Sequence, residues 1–353
     1  MSETAFLKRR WKLVVNVITV LALLVLVYAV RHQLMDTVRN FSKVNIWVVL
    51  LLLPIEWLNY HAQAKLYDGI FRAVGNKLSY RFLFETSLEL NFVNSVFPSG
   101  GVSGISYSVM RMRSDEHKIT GGRATLVQLM KLALLFLSFE ILLIIGMFFI
   151  AIGGGVNNFV ILVGGSLSTL LVVGTFAFVM IIGHERRIQA TFTFVTQALN
   201  RLIQIVRPKN PETINMAQAR SAIEELHQNY KLIERRWREL KSPFWWAFIA
   251  NLAEVAAVYV VYVAFGHWVN PGAVILAYSI ANFAGMVSVL PGGVGIYEAL
   301  MTGVLVATGV PAALSLPVTV MYRVLNMLIQ LPPGYYFYHR TLHGNNKEEA
   351  RAA

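Results

Sequence analysis

Long apolar runs constrain this chain more than any other feature of its sequence. Six of them are long enough to cross ~30 Å of hydrocarbon as α-helices. Only 14% of the residues are charged, against about a quarter in a soluble globular domain. The sequence therefore predicts an all-α polytopic membrane protein with six spanning helices, at about 13–30, 44–60, 125–152, 158–182, 243–265 and 311–338.

Glycine-rich turns interrupt two further apolar regions, 82–112 and 271–309. A helix broken inside a membrane exposes unpaired backbone N–H groups at the start of its second arm, and such groups bind anions. We therefore predict two re-entrant helical hairpins whose glycines help to bind substrate. The alternative is that glycine only permits tight packing in each hairpin. The turns read Pro98-Ser99-Gly100-Gly101 and Pro291-Gly292-Gly293-Val294-Gly295.

Basic residues indicate the orientation of the spans. With the amino terminus in the cytoplasm, 26 of the 31 lysines and arginines fall on the cytoplasmic side, as the positive-inside rule requires. Topology thus accounts for the net charge of +12, and we expect no nucleic-acid partner. The first apolar run is predicted to be a retained helix and not a cleaved signal. We therefore expect a protein of the cytoplasmic membrane with both termini in the cytoplasm.

The same succession of span, span, hairpin and span occurs twice, first starting inside and then outside. Asn91 and Asn282 precede the two turns, and Lys131 and Arg323 follow the prolines of those turns by 33 and 32 residues. This order predicts an inverted repeat, which in transporters puts the substrate site where the broken helices meet. The alternative is a chance match of turns rich in glycine and proline.

The predicted repeat divides the chain into residues 1–157 and 158–353. The second half carries a cytoplasmic insert, 183–242, in which apolar residues recur at steps of three and four, as in amphipathic helices. Two arrangements of the insert stay open. Its helices lie on the anionic inner leaflet, or they form a hairpin packed on itself or on a second copy of the chain.

Ionisable residues within apolar segments are the strongest candidates for a site, because each central charge costs ~2.5–3.5 kcal/mol on insertion. Lys131 and Arg323 are predicted to bind phosphate, unless they only neutralise glutamates such as Glu140 and Glu254. Glu298 is predicted to bind an amine. The complete predicted substrate set is Glu56, Asn91, Gly100, Gly101, Lys131, Glu254, Asn282, Gly292, Gly293, Gly295, Glu298 and Arg323.

Other site chemistries find little support. Cysteine is absent and the eight histidines are scattered, which excludes thiolate metal sites and leaves no metal-ligand spacing. We expect no metal, no cofactor and no catalytic residue. Glu85 and Glu89, one helical turn apart, could serve acid–base chemistry, but a polar inner face explains them equally well.

Around the second turn, the segments 282–283 and 290–298 resemble the transmembrane region of bacterial lysylphosphatidylglycerol synthases, the multiple peptide resistance factor family. The first turn, 91–104, with Arg111 after it, is similar to a lesser degree. Relatives often carry an acidic residue soon after this turn, whereas 104–110 contain none. In that family the membrane region is thought to flip an aminoacylated phospholipid that a separate domain makes. Only 340–353 follow the last span here, so the resemblance implies transport without synthesis.

These features favour a lipid flippase or transporter for a lipid with a charged head group, such as an aminoacyl-phospholipid, a glycolipid, or a polyprenyl or hopanoid lipid. The expected partners are membrane lipids, above all one with an anionic phosphate, and a second copy of the chain or a lipid synthase. Two alternatives stay open. One is a membrane-embedded head-group transferase using Glu85, Glu89 or Glu298, and the other is a non-catalytic partner that hosts a synthase through 183–242.

Overall fold

The computed structural model is helical throughout the part of the chain that it describes. It describes residues 21–352 except 98–101, 114–118, 154–156 and 289–292, most of 185–227, and isolated positions within 22–34 and 228–235. Several predictions therefore lie wholly or largely outside the described residues. They are the first span at 13–30, the turn residues Pro98, Gly100, Gly101, Pro291 and Gly292, and the insert 183–242.

The longer helices are numbered here in chain order. Short helical turns at Phe41–Lys43, Ile46–Val49 and Trp237–Leu240 accompany them. The helices are α1 Leu52–Ala73, α2 Tyr80–Val96, α3 Val102–Met112, α4 Gly121–Ile152, α5 Asn158–Ile182, α6 Lys241–Ala264, α7 Pro271–Val287, α8 Ile296–Ala307 and α9 Ala312–Ala352.

Four of these helices are long and apolar enough to cross a membrane. They are α4, α5, α6 with the turn before it, and α9 as far as Leu342. The second predicted span, 44–60, instead forms a short turn and then α1, which continues to Ala73 because Leu66, Tyr67 and Ile70 are buried in the core. The six spans and the re-entrant hairpins stay predictions.

The two interrupted regions each form a pair of short helices that contact each other. Ser79 caps α2, and Asn270 caps α7 with Pro271 in its first turn. At the start of α8, Gly293 and Gly295 have φ of 65° and 88°, a conformation that other residues rarely adopt. A Cβ on Gly293 would lie 2.9 Å from Cα of Gly285, so the chain entering α8 rests on the end of α7.

The interfaces between the two predicted halves, 1–157 and 158–353, occur in matching pairs. α1 packs against α6, α2 packs against α9, and α7 packs against α4. Glycines bring these backbones close together. A Cβ on Gly334 of α9 would lie 2.8 Å from the Leu88 carbonyl oxygen of α2, and one on Gly272 of α7 would lie 2.1 Å from the Gly146 carbonyl oxygen of α4. A short helix of each predicted half, α2 or α7, thus packs on the last helix of the other predicted half, α9 or α4.

The described end of the insert packs against the protein. Arg123, near the start of α4, donates from Nε to the side-chain oxygen of Asn229 at 3.1 Å and from a terminal nitrogen to that of Asn76 at 2.8 Å. Ile233 is buried in the same core as the C-terminal part of α1. At this end the segment is therefore a packed element of the fold.

Candidate functional site

A polar cavity of about 420 Å³ lies between the two interrupted regions. Its walls come from α1, α2, α4, α6, α7 and α9, with further residues from α3 and α8. Five residues of the predicted substrate set line it: Asn91, Lys131, Glu254, Asn282 and Arg323. The structure thus brings together residues that are up to 232 positions apart in the sequence.

The C-terminal ends of α2 and α7, the first helices of the two interrupted regions, reach this cavity. Asn94 and Phe97 line it from the end of α2, and Asn282 and Ser288 line it from the end of α7. Re-entrant hairpins of opposite orientation would bring Pro98 and Pro291 close together near mid-membrane, but both prolines lie outside the described residues. Their described neighbours share one cavity, and the depth of the turns in a membrane stays a prediction.

Lys131 is a buried cation whose described partners are neutral. It is 7% exposed, and its Nζ donates to Gln63 Oε1 at 3.1 Å and to the Tyr67 hydroxyl at 3.2 Å. The ammonium also lies 4.5 Å from the centre of the Tyr67 ring. Within the described residues, no carboxylate lies at ion-pair distance from Lys131, so its charge is available to an anion.

Arg323, by contrast, forms a buried ion pair with Glu298. Its guanidinium lies 4.6 Å from the centre of the Tyr297 ring. Glu298 also accepts from Gln33 Nε2 at 2.9 Å and from the backbone N–H of Gly295 at 2.6 Å, which caps α8. Glu298 therefore lies behind Arg323 and not on the cavity wall, and an amine would have to compete with Arg323 for it.

The structure bears on whether Arg323 binds phosphate or only neutralises a glutamate. Arg323 both lines the cavity and neutralises a carboxylate, but that carboxylate is Glu298 and not one of the two named from the sequence. Glu140 contacts Ser168 of α5 and does not line the cavity. Glu254 does line it, with Asn59 and Tyr322 as partners.

Glu254, on α6, is the centre of a hydrogen-bonded chain. Asn59 donates to one of its carboxylate oxygens and the Tyr322 hydroxyl donates to the other at 3.0 Å. On one side, Lys131 donates to Gln63 and Gln63 Nε2 donates to Asn59 Oδ1 at 3.0 Å. Two neutral amides therefore link Lys131 to Glu254 through successive hydrogen bonds.

The other branch of the chain runs along α9 to Glu56. Gln330 donates to Asn326, and Asn326 Nδ2 donates to the Tyr322 hydroxyl at 3.2 Å. Gln330 Nε2 also donates to Glu56 Oε2 at 3.1 Å. Glu56 is buried on α1 and is thus connected to Glu254 and Lys131 through side chains alone.

Sequence reasoning missed the neutral members of this chain. They recur at helical spacing, because Asn59 and Gln63 are four residues apart on α1, as are Tyr322, Asn326 and Gln330 along α9. A polar stripe along one face of an otherwise apolar helix was the available signal. Charge alone does not reveal it, because none of these five side chains is charged at neutral pH.

Of the glycines in the substrate set, Gly293 and Gly295 lie within the described residues. Both have positive φ, and the N–H of Gly295 is taken by Glu298. The predicted free N–H groups at the start of α8 are therefore in part occupied by the protein itself. Gly100, Gly101 and Gly292 lie outside the described residues, and anion binding by the turns stays a prediction.

Glu85 and Glu89 do not line the cavity and are engaged elsewhere. Glu85 pairs with Arg81 and Arg340. Glu89 accepts from Tyr107 at 2.8 Å, from Arg111 at 2.8 Å and from Thr341 at 2.7 Å. Their contacts tie α2 to α3 and α9, which is a structural role. The described residues contain no cluster of histidine and acidic side chains that could hold a metal ion.

A helical chain that has four apolar helices of spanning length, and a cavity with buried charges of both signs, is a polytopic membrane protein. The chain belongs to the family described as the lysylphosphatidylglycerol synthase transmembrane region, whose family model matches residues 13–334. The resemblance inferred from the two turns is thereby confirmed.

Two curated relatives carry the name UPF0104 membrane protein. The chain is 27% identical over 142 residues to one from Pyrococcus horikoshii, a match that covers 38% of this chain and 42% of that protein. It is 35% identical over 86 residues to one from Methanothermobacter thermautotrophicus, which covers 24% of this chain and 26% of that protein. The chain thus spans less than half the length of each of these relatives.

Proposed function

We propose that this protein moves a lipid with an anionic phosphate head group across the membrane, and that the head group passes through the cavity between α2 and α7. The observation that carries the proposal is Lys131, a buried cation on the cavity wall with neutral partners. A phosphate oxygen would give it a charge-assisted hydrogen bond. The cavity volume of about 420 Å³ lies in the range of small-molecule sites.

A second ionisable residue of the cavity wall, Glu254, supports a head group that also carries an amine. Glu254 lines the cavity, and both its oxygens accept hydrogen bonds from neutral donors. A cation that approached it would exchange those bonds for a charge-assisted one. An aminoacylated phospholipid has both charges, and the family description supports a lipid-related role.

The matching interfaces of the two halves support a transport mechanism. Exchange of residues 1–157 with 158–353 maps the contact of α2 with α9 onto that of α7 with α4. An inverted repeat permits one half to rock against the other around a fixed central site, so the site opens to either side in turn. The distribution of basic residues favours the cytoplasmic membrane, with both termini in the cytoplasm.

Reconstitution into liposomes tests the proposal. Vesicles of phosphatidylcholine would carry a fluorescent phosphatidylglycerol, its lysyl derivative or a neutral glycolipid, and a membrane-impermeant quencher would report the fraction in the outer leaflet. We expect the two phosphate lipids to move at a protein-dependent rate that Lys131→Gln reduces at least tenfold. Glu140→Gln, which alters a glutamate outside the cavity, is the matched control and should leave the rate unchanged.

The other outcomes of the same experiment are informative. Equal movement of the neutral glycolipid would contradict a site selective for phosphate, and no movement of any lipid would contradict transport. Mass spectrometry of the recovered lipids would detect a changed head group, the result expected of a transferase.

A further inference from the structure

The charges at the cavity and directly behind it do not balance. Within the described residues, the cations there are Lys131 and Arg323, whereas the carboxylates are Glu56, Glu254 and Glu298. Arg323 and Glu298 neutralise each other in a direct ion pair. Lys131 is then left with two carboxylates, and an unpaired buried charge is strongly unfavourable. A single proton on one of the two carboxylates makes the empty site neutral.

The hydrogen bonds connect this proton site to Lys131. Lys131 is linked to Glu254 by the hydrogen bonds of Gln63 and Asn59, each of which is donated in the direction of Glu254. The branch along α9 joins Glu254 to Glu56. The titratable groups around the two carboxylates include the phenols of Tyr60, on the same helix as Glu56, and of Tyr278, Tyr297 and Tyr322 on α7, α8 and α9. Within the described residues, Lys131 and Arg323 are the basic residues of the cavity wall.

A hydroxyl on the cavity wall indicates where a guest with acceptor atoms would bind. Tyr297 lines the cavity and is 7% exposed. Its buried hydroxyl has no hydrogen-bond partner among the described residues, and such a group normally has one. A phosphate oxygen would satisfy it beside Arg323, whose guanidinium lies over the same ring.

We propose that Glu56 and Glu254 together take up one proton with each anionic head group that binds, so that lipid movement is coupled to proton movement. The inference rests on the proposed function. A phosphodiester brings one negative charge and draws the Lys131 ammonium away from Gln63. Both carboxylates then lack a cation, and the second one takes a proton from water on the side to which the cavity is open. When the lipid leaves, the same proton returns to water.

Proton uptake on binding tests this coupling directly. The probe is dihexanoyl phosphatidylglycerol, whose phosphodiester stays singly charged near neutral pH, so that any proton uptake belongs to the protein. The whole purified protein would be titrated in weakly buffered detergent solution with a pH indicator. We expect about one proton taken up per lipid bound, and binding that weakens about tenfold for each unit rise in pH.

Amide variants separate the two carboxylates from the rest of the site. Either Glu56→Gln or Glu254→Gln leaves one carboxylate, which should still take up about one proton per lipid. The double variant mimics the fully protonated pair, so it should bind the probe at least as tightly as the wild type, with no proton uptake and no dependence on pH. Glu140→Gln is the matched control and should behave as the wild type.

The failures of the two proposals are distinguishable. Absence of binding of the probe to the wild type would refute the anion site and the coupling together. Binding without proton uptake, or with an affinity independent of pH, would refute the coupling and leave the proposed transport standing. These wild-type results decide the question even if the double variant does not fold.

Discussion

Arg323→Gln and Lys131→Gln are similar substitutions, but we expect different effects on stability, because Arg323 forms an ion pair with Glu298 whereas the described partners of Lys131 are neutral. Arg323→Gln leaves Glu298 buried without its cation, and breaking a buried pair in this way costs ~3–5 kcal/mol. Glu298 keeps the N–H of Gly295 and the amide of Gln33. We therefore expect the lower end of that range, about 3 kcal/mol.

Lys131→Gln breaks no direct ion pair, and the carboxylate that Lys131 balances at a distance can take up a proton in its place. The substitution loses two hydrogen bonds to neutral acceptors, each worth ~0.5–1.5 kcal/mol, and it also removes a desolvated ammonium that opposes burial. We expect these effects to offset each other to within about 1 kcal/mol, while lipid binding is lost.

Unfolding of both variants in lipid bicelles, followed by tryptophan fluorescence, would measure the difference. The double variant Arg323→Gln with Glu298→Gln removes both charges and should recover most of the loss, because no buried ion remains. A stable Arg323→Gln beside a strongly destabilised Lys131→Gln would refute the assignment of the two cations.

Three further predictions concern other parts of the structure. Gly272→Leu should destabilise the protein by ~1–3 kcal/mol through overpacking against α4, whereas Gly303→Ala, which meets open space, should not lower the thermal midpoint. Gly295→Ala imposes a positive φ on alanine, costing ~1–2 kcal/mol, and by displacing Glu298 it should weaken lipid binding in a titration. Glu89→Gln should lower the thermal midpoint because Arg111 loses its carboxylate partner. A transport rate per folded molecule that also fell would contradict a structural role for Glu89.

Much of this architecture was predictable because the membrane restricts what a sequence can do. Apolar runs of spanning length have to be helical, since every backbone polar group needs a partner in hydrocarbon. Lys131 and Arg323 could be placed on an interior cavity for a related reason, because a cation that faces lipid tails has no partner. Asn91 and Asn282 were found because each precedes one of the two turns, and both line the cavity.

Only the tertiary structure decided which charges pair. Glu298 lies in the first turn of α8, directly after the glycines with positive φ that lead the chain into this helix. It meets Arg323 because α9 packs against α8. Nothing in the spacing of Glu140 or Glu254 distinguished them from Glu298 as partners, because an ion pair between helices depends on how the helices face each other. The same reason hid Asn59, Gln63 and Gln330, whose amides carry no charge to mark them. They became a connected path only when α1, α6 and α9 came together around Glu254.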